Sequence, residues 1–286
     1  RAGSWIHVDE ATLNDLVKIK ELTDIDLTEL QDSLDKHENP RIENINGKII
    51  IFVRHPSEIE EGLHTSSMTI ILTNSYLITI SPQKSLLVDA LLQYKVKLAT
   101  TQKYKLFLYI LLKITQDFTN RIKAVRNSVI EQEKKKKNIS NDTILILTKH
   151  EDVLNHYLSS LVPMKNLLSA ITSGRYINLY EKDHDVLDDL QIALKQSEDL
   201  CRVNVKSIRS LRDSYQILFT NDVNKTMKFL TAITIIFTIP TIIASIYGMN
   251  VRLPLENHPH AFIIIIISTI VLSIIAFYIF ARKKWL

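Results

Sequence analysis

Five hydroxyl side chains, Thr231, Thr234, Thr238, Thr241 and Ser245, recur at alternating steps of three and four residues. That spacing places them on one face of a helix. They sit in an uncharged hydrophobic stretch from Phe229 to Tyr247, close to the ~20 residues a helix needs to cross the hydrocarbon core. Tyr247-Gly248-Met249-Asn250 follows at once. A lipid-facing helix has no use for a polar stripe, whereas a helix lining a water-filled path does. Gly248 lets the backbone leave the helix and expose carbonyls, and Asn250 offers a neutral amide oxygen. A ring of such oxygens can hold the water shell of a hard cation without stripping it, which suits a slowly dehydrating ion such as magnesium. Each signal has a plainer alternative. Serine and threonine bond back to their own backbone in membrane helices, and small residues serve close packing. Glycine and asparagine also end ordinary helices. Five polar residues in register favour a pore lining.

The elements that must position these residues are legible as well. A second uncharged stretch, Ala261 to Ala281, makes a membrane hairpin with the first. Ser268, Thr269 and Ser273 are its only polar members, so it reads as lipid-facing. Lys225 and Lys228 precede the first span, Arg282-Lys283-Lys284 follow the second, and the link from Val251 to His260 holds only Arg252. By the positive-inside rule both ends are cytoplasmic and the link faces outside. Trp285 stands where an interfacial aromatic anchor is expected. One hairpin cannot enclose a pore, so the chain must assemble into a homo-oligomer within the bilayer.

Upstream, a helix from about Asp183 to Tyr247 is interrupted only by Pro240. At 1.5 Å per residue such a helix extends roughly 90 Å. Leu187, Leu190, Leu194, Ser197, Cys201, Asn204, Ile208, Leu211, Tyr215 and Leu218 form a heptad-spaced packing seam on it. A second stripe, Ser207, Ser210, Ser214, Ile217, Asn221, Asn224 and Met227, runs in phase into Thr231. Residues 85–174 have a helical pattern, with a turn at Lys134–Lys137 and Asn138–Asn141 between two long antiparallel helices. The N-terminal part alternates. Ser4–Val8, Lys48–Arg54, Ser67–Thr73 and Tyr76–Ser81 read as strands, with turns at Asn46-Gly47 and Asn74-Ser75. Asp9 is the expected cap of a first helix, and Asp24–His37 a further helical stretch. The fold class is therefore an α+β cytoplasmic domain, a long helical stem and two C-terminal transmembrane helices. The expected divisions are an α/β domain at 1–84, a helical hairpin at 85–174 and a stem at 175–228. The first span at 229–247, an outer loop at 248–260, the second span at 261–281 and a basic tail at 282–286 complete it.

The composition fits that division: 286 residues, 46% hydrophobic and 23% charged, net charge +4. The lone Cys201 excludes an intrachain disulfide, which agrees with a reducing cytoplasm. Nothing at the N-terminus resembles a signal peptide, and the opening at Arg1 is expected of a segment cut from a longer protein. His55, His64, His150, His156 and His184 lack paired metal-ligand spacing, and His258-Pro259-His260 in the outer loop is at most a loose transition-metal site. There is no phosphate-cradling glycine loop, Ser/His/Asp arrangement or cysteine pair, so no enzyme, nucleotide or nucleic-acid function is expected.

Tyr247-Gly248-Met249-Asn250 before a short loop, with a second span ending in Lys283-Lys284-Trp285-Leu286, resembles the CorA family of magnesium channels. Asp213, Tyr215, Asn221, Asn224, Met227-Lys228, Leu230-Thr231 and Pro240 extend the resemblance into the stem, with the proline displaced by about one position. The specific match covers residues from about 205 to 286, and the rest is matched by architecture. The resemblance implies a funnel-shaped homopentamer whose first spans line the pore, carrying Mg2+ and possible Co2+ or Ni2+ down the membrane potential. It implies that Asn250, with Tyr247, Gly248 and Met249, forms the outer entrance. Asn224, Met227 and Leu230 fall on the inner constriction and gate, and Asp213 and Asn221 at the inner mouth. It also implies regulation by cytoplasmic Mg2+ held between subunits. Stem residues Asp183, Asp185, Asp188 and Asp189 and, on the neighbour, Asp89 are the candidates. Two departures stand out. The loop reads Leu253-Pro254-Leu255-Glu256 beside Arg252, so Glu256 falls one place late as a cation-attracting residue. Lys134–Lys137 also replaces an acidic hairpin tip. A transition-metal transporter on the same scaffold, zinc included, and a non-conducting coiled-coil scaffold are the competing readings.

Overall fold

The computed structural model describes residues 3–60, 63–85, 87, 91, 99–135, 140–255 and 258–286. Its elements are strands β1 (Ser4–Val8), β2 (Arg41–Ile45), β3 (Lys48–Glu60), β4 (Leu63–Leu72) and β5 (Tyr76–Ile80). The helices are α1 (Leu13–Thr23), α2 (Leu27–Leu30), α3 (Lys103–Lys135), α4 (Asn141–Thr172), α5 (His184–Tyr247) and α6 (Ala261–Arg282). Two compact units result. One holds the sheet, α1 to α3, α4 from Asp142 and α5 as far as Arg212; the other takes in Asn141 and runs from Asp213 to Leu286.

In the first unit the sheet order is β1-β5-β4-β3-β2, with β1 parallel to β5 and the other pairs antiparallel. Asn46-Gly47 forms a two-residue hairpin with both residues at positive φ (+52° and +80°), as a type I′ turn requires. Alternation divides the side chains between two faces. Ile50, Phe52, Ile71, Ile78 and Ile80 pack with Leu16, Ile19, Ile25 and Leu30 of the α1–α2 region. On the opposite face Val53 lines one small interstice with Leu111 of α3, Met164 and Leu168 of α4 and Leu190 and Leu194 of α5. The sheet is thus the middle layer, and the stem helix begins anchored in a core.

Three local expectations are corrected. Asp9 does not cap α1; Thr12 does, and the Asp15 carboxylate accepts from the Thr12 N–H (3.1 Å) and hydroxyl (2.7 Å). The Asp9 carboxylate instead accepts from the Ser85 N–H at 2.8 Å. The Asp24–His37 stretch is broken at Asp24, whose φ is +53°, and continues as α2 plus a 3-10 turn at Gln31–Leu34. β2 is an additional strand. Its Arg-Ile-Glu-Asn-Ile sequence is half-exposed at the sheet edge, where charged residues are tolerated and the hydrophobic signal is weak. Between α3 and α4, residues 136–139 lie outside the described residues.

The stem seam is buried where it meets the hairpin and emerges beyond. Leu187, Leu190, Leu194, Ser197, Cys201, Asn204 and Ile208 are buried, Leu211 and Tyr215 are half-buried, and Leu218 is exposed. Its polar members all find partners. Ser197 Oγ meets Thr119 Oγ1 of α3 at 2.5 Å, and Cys201 Sγ donates to the Leu154 carbonyl of α4 at 3.3 Å. Asn204 Nδ2 donates to the Leu200 carbonyl at 2.7 Å. Burial pushes the Cys201 thiol up to about 12, which makes it an unreactive core residue.

In the second unit, α5 and α6 provide the two helices long and apolar enough to cross a membrane among the described residues. Nearly every large apolar residue of α6 faces outward, Phe262 at 75% exposure among them. Apolar surface on this scale needs lipid or protein to cover it.

Candidate ion pathway

The polar stripe and the hairpin contact occupy opposite sides of α5. Ile236, Pro240, Ile243, Ala244 and Tyr247 line a groove shared with α6. Thr231, Thr234, Thr238, Thr241 and Ser245 are exposed. At 100° per residue the two sets are centred roughly 160° apart. The second span therefore covers one side of α5 and leaves the hydroxyl side uncovered.

The hydroxyls are not idle. Thr234 Oγ1 donates to the Leu230 carbonyl (2.8 Å), Thr238 Oγ1 to the Thr234 carbonyl (2.7 Å) and Thr241 Oγ1 to the Phe237 carbonyl (3.0 Å). Back-bonding and pore lining turn out to be compatible. A hydroxyl that spends its proton on the backbone presents only acceptor lone pairs outward. A line of acceptors suits the hydrogens of a hydrated cation's water shell.

Below the membrane threonines the stripe continues through Asn221, Asn224 and Met227, all exposed, at steps of three, three and then four to Thr231. Met227 and Leu230 are 60% and 63% exposed, so two large apolar side chains stand bare at the base of the polar stripe. Asp213 is exposed at the start of the same unit. A strict seven-residue repeat drifts by ~20° per heptad on a straight helix, which accounts for the gradual turn of the stripe around α5.

At the loop end, α5 closes with Gly248 N donating to the Ala244 carbonyl (2.9 Å) and Met249 N to the Ile246 carbonyl (3.2 Å). Gly248 is not a left-handed helix cap, since its φ is not positive. A Cβ there would meet the Ala244 carbonyl oxygen at 3.2 Å and that of Ser245 at 3.6 Å. These are the carbonyls of the helix's own last turn, so a side chain there would be close to them without being forbidden. Tyr247, Met249, Asn250 and Arg252 are exposed. Leu255 adopts a φ of +73° after Pro254, and its carbonyl accepts from His258 N at 2.9 Å. That turn leads into α6. Glu256 lies outside the described residues.

The candidate regulatory acids are only partly visible. Asp185, Asp188 and Asp189 are exposed on the first turns of α5. Asp183 is buried in the preceding 3-10 turn. Asp89 lies outside the described residues. Among the described residues no three His, Cys, Asp or Glu side chains are gathered to hold a metal ion.

Sequence reasoning passed over two carboxylate clamps that hold the stem to the hairpin. Buried Glu151 of α4 accepts from Arg209 Nε (2.7 Å) and Arg212 Nη1 (2.5 Å) of α5. Buried Glu198 of α5 accepts from Lys165 Nζ of α4 (2.9 Å) and Arg202 Nε (2.9 Å). The hydrogen bond from Lys165 leads the causes that hold the Glu198 carboxyl below the usual range, joined by Arg202. A glutamate among leucines on the apolar face of α4 is the signal that would have found the first. The rings of His64 on β4 and His156 on α4 also meet edge to face, with centroids 5.4 Å apart. Residues 92 positions apart give no spacing signal for such a pair.

A family model described as CorA-like Mg2+ transporter protein matches residues 2–283. The cobalt/magnesium transport protein CorA of Methanocaldococcus jannaschii is 27% identical over 294 residues, 99% of this chain and 91% of its own. The magnesium transport protein CorA of Helicobacter pylori is 26% identical over 243 residues, 79% of this chain and 73% of its own. The complete structure of the Methanocaldococcus jannaschii CorA magnesium transporter superposes with a TM-score of 0.79 at 25% identity, covering 99% of this chain and 91% of that one. A match spanning stem, both spans and sheet domain leaves one assignment, and the chain belongs to the family of CorA-like Mg2+ transporter proteins.

Proposed function

We propose that the chain forms a homo-oligomeric pore, a pentamer by its family resemblance, that carries Mg2+ passively into the cytoplasm, with Co2+ and Ni2+ as further cargo. One observation carries this reading: the hydroxyl stripe of α5 is left bare on the side opposite α6. Copies arranged with those faces inward give a channel lined by acceptor oxygens, with α6 turned to the lipid. The names of the relatives, cobalt/magnesium and magnesium transport proteins, support the ion. The basic residues at Lys225, Lys228 and Arg282–Lys284 support cytoplasmic termini in a plasma membrane. A divalent ion gains about 4.6 kcal/mol per 100 mV of inside-negative potential, which drives uptake without ATP.

Within this reading Asn250 receives hydrated Mg2+ at the outer mouth, beside Tyr247, Gly248 and Met249, with Glu256 as a loop carboxylate. Met227 and Leu230 form the apolar gate next to Asn224, and Asn221 and Asp213 lie at the cytoplasmic mouth. Regulatory Mg2+ bridges Asp185, Asp188 and Asp189 of one subunit to Asp89 of its neighbour. Carboxylates tied by a divalent ion repel once it leaves, and that change favours the open state. The proposed division keeps residues 1–228 cytoplasmic and falls within α5 between Lys228 and Phe229, where the uncharged stretch begins. The test is Mg2+ influx into proteoliposomes. Asn250→Ala is expected to reduce influx at least tenfold while the oligomer stays intact by size-exclusion chromatography. Normal influx in that variant would refute the pore assignment. Zn2+ measured in parallel separates the transition-metal reading.

A further inference from the structure

Between α5 and α6 lies an open apolar groove of about 780 Å³ lined in part by Ile236, Pro240 and Ser273, and two polar groups of these residues are in unusual states. The first is the Ile236 carbonyl. Pro240 lies inside α5 and has no N–H, so the helical donor for the carbonyl four residues earlier is missing. The second is the Ser273 hydroxyl on α6, which is buried and has no hydrogen-bond partner among the described residues. Its neighbours behave differently: Ser268 and Thr269 both donate to the Ile265 carbonyl, at 2.8 and 2.7 Å. On α5, Thr241 has given its proton to the Phe237 carbonyl at 3.0 Å. Of the two aliphatic hydroxyls that line this groove, Thr269 has committed its proton and Ser273 has no partner among the described residues.

Ile236, Pro240 and Ser273 line the same groove, and they lie at one depth. Gly248 and Phe262 line it at the loop end; Ile236 is twelve residues before Gly248, and Ser273 eleven after Phe262 on the returning helix. At 1.5 Å per residue both are roughly 16 to 18 Å from that end. A carbonyl without a donor and a hydroxyl without an acceptor are costly in hydrocarbon, where no water can satisfy them.

We propose that Ser273 donates to the Ile236 carbonyl when the spans close on the groove, and so positions the first span at its proline break. This rests on reading α5 and α6 as membrane spans, and its effect on flux rests on the pore reading. Ser273 is a positioning residue, away from the conducted ion. The bond would hold α5 against α6 at the level where proline weakens the helix ladder, leaving the threonine side undisturbed.

A double-variant cycle on the full chain tests it. The unfolding equilibrium is measured in bicelles titrated with SDS, and Mg2+ influx in proteoliposomes, for Ser273→Ala, Pro240→Ala and the pair. Ser273→Ala is expected to lower the folding constant about three- to tenfold in the native background. With Pro240→Ala the N–H at 240 returns, and the same serine change should then cost less than twofold. A packing role would cost the same in both backgrounds, so equal losses, or none in either, overturn the proposal. Ser273→Thr and Ser273→Val supply a second pair in which proline is retained. Threonine keeps the donor and should behave as the native chain, valine should behave as alanine, and equal behaviour of the two also overturns it. The unfolding constant is read whether or not the chain conducts, so a failed pore assignment and a failed Ser273 assignment are told apart.

Discussion

At the residue scale, burial changes the chemistry of groups that the sequence lists as ordinary. His55 on β3 is fully enclosed, and desolvation pushes its pKa down from 6.5 to about 4. Its Nδ1 lies 3.1 Å from the Pro56 carbonyl, while Nε2 is buried without a partner among the described residues. The unfolded chain takes up a proton below about pH 6.5, and the folded chain resists doing so until about pH 4. Stability should therefore fall as the pH drops through that window. His55 accounts for about 2 to 3 kcal/mol of the loss at pH 4.5. Denaturation curves at pH 7.5 and 4.5 check this. His55→Leu should shrink the difference between the two by about that amount. A lone histidine in a strand reads as unremarkable in sequence, because its environment is supplied by α3 and the sheet. Gly248 teaches the same lesson. Its type is legible as a helix end, but only the structure shows that the end is made without a left-handed φ.

At the element scale, α5 is two helices in one. Down to Ile208 it is a packed helix whose seam is buried against the hairpin; past Asp213 most of its surface is open, apart from the side turned to α6. The clamps on Glu151 and Glu198 fasten the packed part. Replacing Glu151 with Gln leaves Arg209 and Arg212 without their shared carboxylate. The cost should be about 1 to 3 kcal/mol, moderated because both arginines are partly exposed. Chemical unfolding at neutral pH measures it. Lys225→Ala, which removes an exposed pair with Asp222, should change stability by no more than ~0.5 kcal/mol in the same assay. The heptad pattern was legible because apolar period follows helix geometry. The point where it stops being a packing seam was not, since that depends on where α4 ends beside it.

At the scale of the whole molecule, the uncovered faces of α5 and α6 call for copies and lipid. If the threonine faces line an axis, Thr234→Leu with Thr238→Leu replaces two rings of acceptors by apolar collars. Mg2+ influx should then drop by more than tenfold in proteoliposomes, with the oligomer preserved. In a membrane-anchored scaffold that conducts nothing, the same pair of changes would be silent.

The sequence by itself determined the elements whose signals are local. These are the two spans from their length and lack of charge, the stripe and the seam from a three-four period, and the Asn46-Gly47 hairpin from its need for positive φ. The strands β1, β3, β4 and β5 follow from β-branched runs. Together with Tyr247-Gly248-Met249-Asn250 these were enough to reach the family. Only the tertiary structure decided what depends on residues far apart in the chain. It made β2 an edge strand, joined Asp9 to Ser85, brought Glu151 to Arg209 and Arg212, and buried His55. It also put α6 on the side of α5 away from the threonines and left Ser273 in a groove shared with Pro240, its hydroxyl without a partner among the described residues. The physical reason is that periodicity records which side of an element is apolar, while the identity of what covers that side is set by packing.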